Sequence, residues 1–370
     1  MALPEEAPTV PNAIPVRAFR KSRGFLARGR RGVARAPQGG TWIRSAIAGL
    51  GAFLMVFGLL LRVYAAPRLI AAPPGFSITI TLVAPHATYF DESTLSTQHN
   101  ATLTYNEVIR GDAAASTGTI AVWDEFTVLE DLKRNIQLIA TFQRSGFNRR
   151  TGELTNCCGA SVNDDTQVRQ DGIGVAFWPI GTKKTTYQVY DTNTERAWPA
   201  AYSGTATVAG LLAYRFTQRI PATVVAQMPD VPTSLLGLPG ASRNVVADRT
   251  FQASNTFWVD PRTGVPVKVA EQIRSVLHGP GGQGRLLAAQ ADLTMSPGSQ
   301  RALAAVARGN AASISTLRRT GPLGGLILGF LLVLAGTIPF RRLRRRLTAV
   351  SASARRRLRS GLRRGRGDFT

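Results

Sequence analysis

Two uncharged apolar stretches, each set against an arginine-rich chain end, constrain this polypeptide more than any other feature. Residues 45–61 and 320–340 form runs of 17 and 21 residues without a formal charge. At about 1.5 Å per helical residue, each run with its flanks covers the roughly 30 Å of hydrocarbon in a bilayer. Residues 1–44 hold nine Lys or Arg against two Glu, and residues 341–370 hold twelve Arg against one Asp. Basic flanks stay on the cytoplasmic side. The expectation is a multi-pass cell-membrane protein with both termini cytoplasmic and its central segment outside. The long leader before the first run, and the Pro that follows each small-residue site near Ala66 and Ala72, favour an uncleaved anchor over a signal peptide.

The chain then divides into a basic cytoplasmic tail (1–42), a transmembrane helix (43–64), an extracytoplasmic β-rich domain (65–295), a juxtamembrane helix (296–319), a second transmembrane helix (320–340) and an Arg-rich cytoplasmic tail (341–370). Trp42 with Arg44, and Tyr64 with Arg62, bracket the first span as interface anchors do. Ala48 and Ala52, and Gly325 and Gly329, are small residues four apart, so the two spans are expected to pack closely. The formal net charge of +23 belongs mainly to the tails, which hold +7 and +11 of it. Their arginine runs suit anionic headgroups, at about 1 kcal/mol per basic residue near the surface. No nucleic-acid module or stacking aromatics accompany them, so nucleic acid is not an expected partner.

Between the spans the pattern is mainly strand, giving an α+β, mainly antiparallel β fold. Short runs rich in Thr, Val, Ile, Tyr and Phe alternate with Gly, Pro, Asn and Asp. The expected strands are 76–83, 101–110, 120–129, 136–144, 185–190, 206–208, 213–220, 249–260 and 265–276. Ser296, followed by Pro297, reads as the N-cap of a helix that runs to Arg319. Phe142-Gln143-Arg144-Ser145 before Arg150-Thr151-Gly152 is echoed by Phe251-Gln252-Ala253-Ser254 before Arg262-Thr263-Gly264. Two half-barrel-like repeats are one reading of that echo; a turn chosen for its geometry alone is the other. Residues 221–240, with four prolines and Met228, Val231, Leu235, Leu236 and Leu238, read as an apolar loop rather than a ladder strand.

No nucleophile elbow or phosphate-binding loop occurs, and His86, His99 and His278 stand apart without metal-ligand spacing. Asp124-Glu125, Glu130-Asp131 and Asp164-Asp165 read as strand ends and solvated turns. Neither an enzyme, nor a cofactor, nor a metal is therefore expected. Cys157 and Cys158 are the two cysteines and are adjacent. Outside the membrane oxidising conditions favour a disulfide, which reads as a turn clamp, as a redox switch or lipid-contacting platform, or as an intermolecular link.

The phrase Trp258 to Val267, with Val208-Ala209-Gly210-Leu211 and Tyr214-Arg215-Phe216, resembles hairpins of the periplasmic lipoprotein-carrier and mycobacterial lipid-carrier half-barrels. Thr88-Tyr89-Phe90-Asp91, Val122-Trp123-Asp124, Arg150-Thr151-Gly152-Glu153 with Asn156-Cys157-Cys158-Gly159, and Gly181 to Gln188, set between two spans, resemble the actinobacterial two-pass envelope proteins labelled porin PorA-like. That label implies a channel, for which strands such as 187–191 are too short and polar. The expected function is to bind, shield or present an apolar envelope molecule, a lipid or glycolipid. Trp178, Leu235, Leu236, Phe257 and Trp258 are the candidate contacts, chosen for apolar bulk near turns. The alternative is a structural subunit that binds another envelope membrane protein.

Overall fold

The computed structural model describes residues 41–239 and 243–338, so the basic tails, apart from Thr41 and Trp42, and the last two residues of the second span lie outside the described residues. Helix α1 (Thr41–Leu60) continues through a π-helical turn (Leu61–Ala65) into the short α2 (Ala66–Leu69). Twelve strands follow: β1 (Ser77–Asp91), β2 (Ser96–Gly111), β3 (Ile120–Asp131), β4 (Ile136–Asn148), β5 (Leu154–Thr155), β6 (Ser161–Val162), β7 (Tyr187–Asp191), β8 (Arg196–Val208), β9 (Leu211–Pro232), β10 (Asn244–Val259), β11 (Pro266–His278) and β12 (Arg285–Met295). Helix α3 (Pro297–Ser315) then runs through a second π-helical turn (Thr316–Thr320) into α4 (Gly321–Thr337).

The strands make one antiparallel, strongly curved half-barrel sheet, in the order β5-β4-β3-β2-β1-β12-β11-β10-β9-β8-β7, with β6 on β4. Along that path every neighbour is sequential except β1 and β12, where the first and last strands meet. Register breaks in β1, β4, β8, β9, β11 and β12 supply the curvature, as bulges do. The two borders of the sheet are joined at Ile173, which bridges Glu153 on one side and Val189 on the other. Its amide donates to Gln188 O at 2.8 Å and its carbonyl accepts Tyr190 N–H at 2.9 Å.

Alternate residues of each strand face inward. In β2 these are Ala101, Leu103, Tyr105, Glu107 and Ile109, and in β10 Phe251, Ala253, Asn255, Phe257 and Val259. Helix α3 seals part of the concave side by burying Leu303, Ala304 and Ala307 in the same core as Val267, Val269 and Leu293. Ser296 caps it, its Oγ accepting Ser299 N–H, and Ser299 Oγ accepts Thr81 N–H at 2.9 Å. The convex side is largely polar, with Arg110, Arg215, Arg219, Gln272, Arg274 and Asp292 exposed and Phe126, Leu212, Val224 and Val246 scattered among such residues. A spanning barrel needs the reverse, a continuous apolar outer band.

Several expectations need correction. Most strands run 11 to 22 residues, longer than the sequence suggested, so the polar outer face rather than short length argues against a spanning barrel. β12 lay beyond the expected strands because its Leu, Ala and Gln carry little β propensity. Residues 221–232 are not a loop but the tail of β9. Pro221 and Pro229 fall at its register breaks, and beyond Gln218 it pairs with β10 alone, so neither proline costs a ladder bond.

Trp42–Leu69 and Pro297–Thr337 are each long and apolar enough to cross a membrane. α1 and α4 pack antiparallel, and glycines set their closeness. A Cβ on Gly51 would lie 2.5 Å from Gly329 O, and one on Gly58 would lie 3.0 Å from Pro322 O. Gly325 and Gly329 take the expected role and Ala48 meets Gly336, but Ala52 is exposed and Gly51 takes its place. Leu50, Phe53, Phe57, Ile327, Leu328 and Phe330 point outward, as lipid-facing side chains do.

Candidate functional site

The hollow of the half-barrel is the candidate site, a cavity of about 120 Å³ that is partly open to solvent. The apolar part of its wall comes from Ile80 and Leu82 of β1, Leu129 of β3, Val269 and Ile273 of β11, and Leu293 and Met295 of β12. A belt of polar residues on adjacent strands crosses that wall. Cross-strand register places Glu125 opposite Gln143, Glu107 opposite Thr127 and Ile80, Glu271 opposite Asn255, and Asn255 opposite Gln218. Thr192 Oγ1 donates to Gln143 Oε1, linking the β7–β8 turn to β4 across the sheet borders.

The belt's carboxyls differ from others in the chain. Asp131 accepts from Tyr89, Arg134 and two backbone amides, Asp260 from Arg262 and Thr263, and Asp124 and Asp112 share Arg144 at 2.8 and 2.7 Å. Glu107, Glu125 and Glu271 have no such partner among the described residues. Burial, followed by the charge of Asp191 and Glu107, pushes the Glu271 carboxyl up to about 8. Burial first, then neighbouring carboxylates, raises Glu107 and Glu125 as well. All three keep some exposure through the cup's mouth, yet desolvation dominates because protein surrounds them on the other sides. Two further cavity-lining groups lack a partner: Tyr190 OH, and Asn255 Oδ1, whose Nδ2 donates to Gln218 Oε1. Among the described residues no set of His, Cys, Asp or Glu converges to hold a metal.

One end of the cup is plugged by Phe177-Trp178. Their side chains turn opposite ways into two aromatic groups, Phe177 towards Trp123 and Phe147, and Trp178 towards Tyr187, Phe216 and Phe257. The plug is held by the two echoed turns. Ile180 N–H donates to Arg150 O and Trp178 N–H to Gly264 O, both at 3.0 Å. The turns share a bonding scheme: Gly152 N–H to Asn148 O and Asn148 N–H to Glu153 O, against Gly264 N–H to Asp260 O and Asp260 N–H to Val265 O.

None of the five residues singled out from the sequence lines the cavity. Trp178 and Phe257 are fully buried in the plug, and Trp258 lies on the outer face under Lys268 Nζ at 4.6 Å. Leu236 packs in a small separate cluster with Val231 and Ala247, and Leu235 is partly exposed beside it. Cys157 and Cys158 form a vicinal disulfide on the outer side of β4, where Cys157 Sγ seats against Gly146 and Arg144 Nε donates to Cys158 O. Glu130-Asp131 and Asp164-Asp165 do lie at turns. Asp124-Glu125 does not: it is mid-strand, with Asp124 outside and Glu125 inside. The signal for the belt was present in the period-2 pattern, as a Glu at an inward position of otherwise apolar alternations in β2, β3 and β11.

A water-facing antiparallel cup carried on a packed helical hairpin defines the class: a membrane protein with two candidate spans and a β domain between them. The chain belongs to the Porin PorA family, whose sequence model matches residues 45–338. No curated protein matches the chain.

Proposed function

We propose that this protein spans the membrane twice, keeps both termini in the cytoplasm, and uses its exported cup to bind, shield or present a lipid or glycolipid of the envelope. The observation that carries the reading is the unfilled hollow itself. Side chains of an interior ordinarily close to native packing density, and here a space lined by both aliphatic and polar residues is left between them. Supporting the topology are the apolar collar of the helices, the polar convex face and the basic flanks. The shared turn scheme supports reading the sheet as two similar halves around the plug. The family's name implies a channel, but the charged outer face favours a domain in water over a lipid-embedded barrel.

The test is to purify the full chain and identify co-purifying lipid by mass spectrometry, for wild type, Ile273→Trp and Leu235→Ser/Leu236→Ser. Ile273→Trp fills the cup and is expected to lose lipid. The double variant, which lies outside the cup, is expected to keep it. Equal lipid in all three at equal folded yield refutes the reading.

A further inference from the structure

We propose that the belt across the cup is a head-group subsite that accepts a hydrogen-bond-donating, non-anionic group, a hydroxyl or an ammonium, and rejects anionic heads. The inference rests on the cup being a binding site and adds which chemistry it admits. Four carboxyl side chains line the cavity, Glu107, Glu125, Asp191 and Glu271, and no Lys, Arg or His is among its lining residues. The tyrosines Tyr105 and Tyr190 are the other titratable groups facing it. An anionic head would therefore meet carboxyls with no balancing cation, in a setting where an unpaired charge is costly.

Two independent features point to a partner. Tyr190, 2 % exposed, and Asn255, 6 % exposed, are both cavity-lining residues, and each holds a buried oxygen without a hydrogen-bond partner among the described residues. A buried oxygen left this way costs its full desolvation. Asn255 Oδ1 can only accept, so it calls for a donor on the occupant, and it sits opposite Glu271 in the ladder. The three belt glutamates likewise accept when ionised and both donate and accept when protonated. A hydroxyl-bearing head matches the protonated belt. An ammonium matches the ionised one, each bound ammonium displacing a carboxyl proton to solvent. The apolar wall above and below takes the hydrocarbon part.

The full chain in phosphatidylcholine nanodiscs is titrated calorimetrically with octyl glucoside, octylammonium and octyl sulfate, with empty nanodiscs subtracted. Octyl glucoside, octylammonium or both are expected to bind about tenfold or more tighter than octyl sulfate. Raising the pH from 6.5 to 9 separates the two sources, because ionisation strengthens ammonium binding and weakens glucoside binding. Glu107→Gln/Glu271→Gln, and Glu125→Gln as a second variant, keep the shape and are expected to flatten that pH response. Octyl sulfate binding as tightly as the others overturns the subsite and leaves the cup reading standing, as does a pH response unchanged in the Gln variants. Failure of all three probes to bind removes both.

Discussion

Glu271 lies between Val269 and Ile273 in the inward alternation of β11, a place that packing alone would give to another branched aliphatic. Its carboxyl titrates from 4.5 in the unfolded chain to about 8 in the cup. A raised carboxyl keeps its proton in the folded state after the unfolded state has lost it. Stability is therefore complete below the unfolded value and declines as pH rises from about 4.5 through about 8. The melting temperature of the solubilised protein should fall across that window, and Glu271→Gln should flatten the fall and melt above wild type at pH 8.5. A parallel decline in the variant would mean that the carboxyl is not the cause. The alternation around this residue was legible in the sequence. Its direction was not, because period 2 fixes that neighbours face opposite ways but leaves open which way is in. That ambiguity let Asp124-Glu125 read as a solvated pair, whereas Asp124 meets Arg144 outside and Glu125 enters the cup.

At the level of turns and helices, two glycines with the same backbone sign should respond differently to alanine. Gly264 (φ 74°) and Gly210 (φ 79°) both sit in the left-handed region, where a Cβ costs about 1–2 kcal/mol. Around Gly210 there is open space, whereas a Cβ at Gly264 would stand 2.0 Å from Trp178 O and force the plug away. Gly264→Ala should thus lower the melting temperature well beyond Gly210→Ala and expose Trp178, seen as a red shift in tryptophan emission. In the helical hairpin, Gly329→Ile should separate α1 from α4, while Gly324→Ile, with nothing near it, should leave the pair intact. Cross-linking, by a bifunctional thiol reagent, of cysteines introduced at Arg44 and Ile338, which meet at the end of the pair, reports which occurs. Turn chemistry was readable in advance because Asn148, Asp260, Gly152 and Gly264 specify it locally. The tail of β9 was not, since its prolines are tolerable only through bulges and a missing neighbour that the sequence does not display.

For the whole molecule the strongest expectation is sidedness. Protease added to intact spheroplasts should cut within 65–295 and spare tags fused at either terminus; cleavage of the tags with a protected centre would reverse the topology. Span positions and the β character of the domain were legible because hydrophobic length and strand alternation are local signals. The hollow was not. It arises from strands far apart in the chain, and large aromatics such as Trp178 and Phe257, selected as contacts for their bulk, serve instead to stopper it.

Ile173 has one further consequence. Its amide and carbonyl bond the β7 margin while the carbonyl of Gly172 beside it accepts Leu154 N–H at the β5 margin, so an incoming extended peptide finds no vacant rung there to continue. Beyond Gln218 β9 is paired on one side only, and there Pro221 and Pro229 withhold donors that strand addition requires.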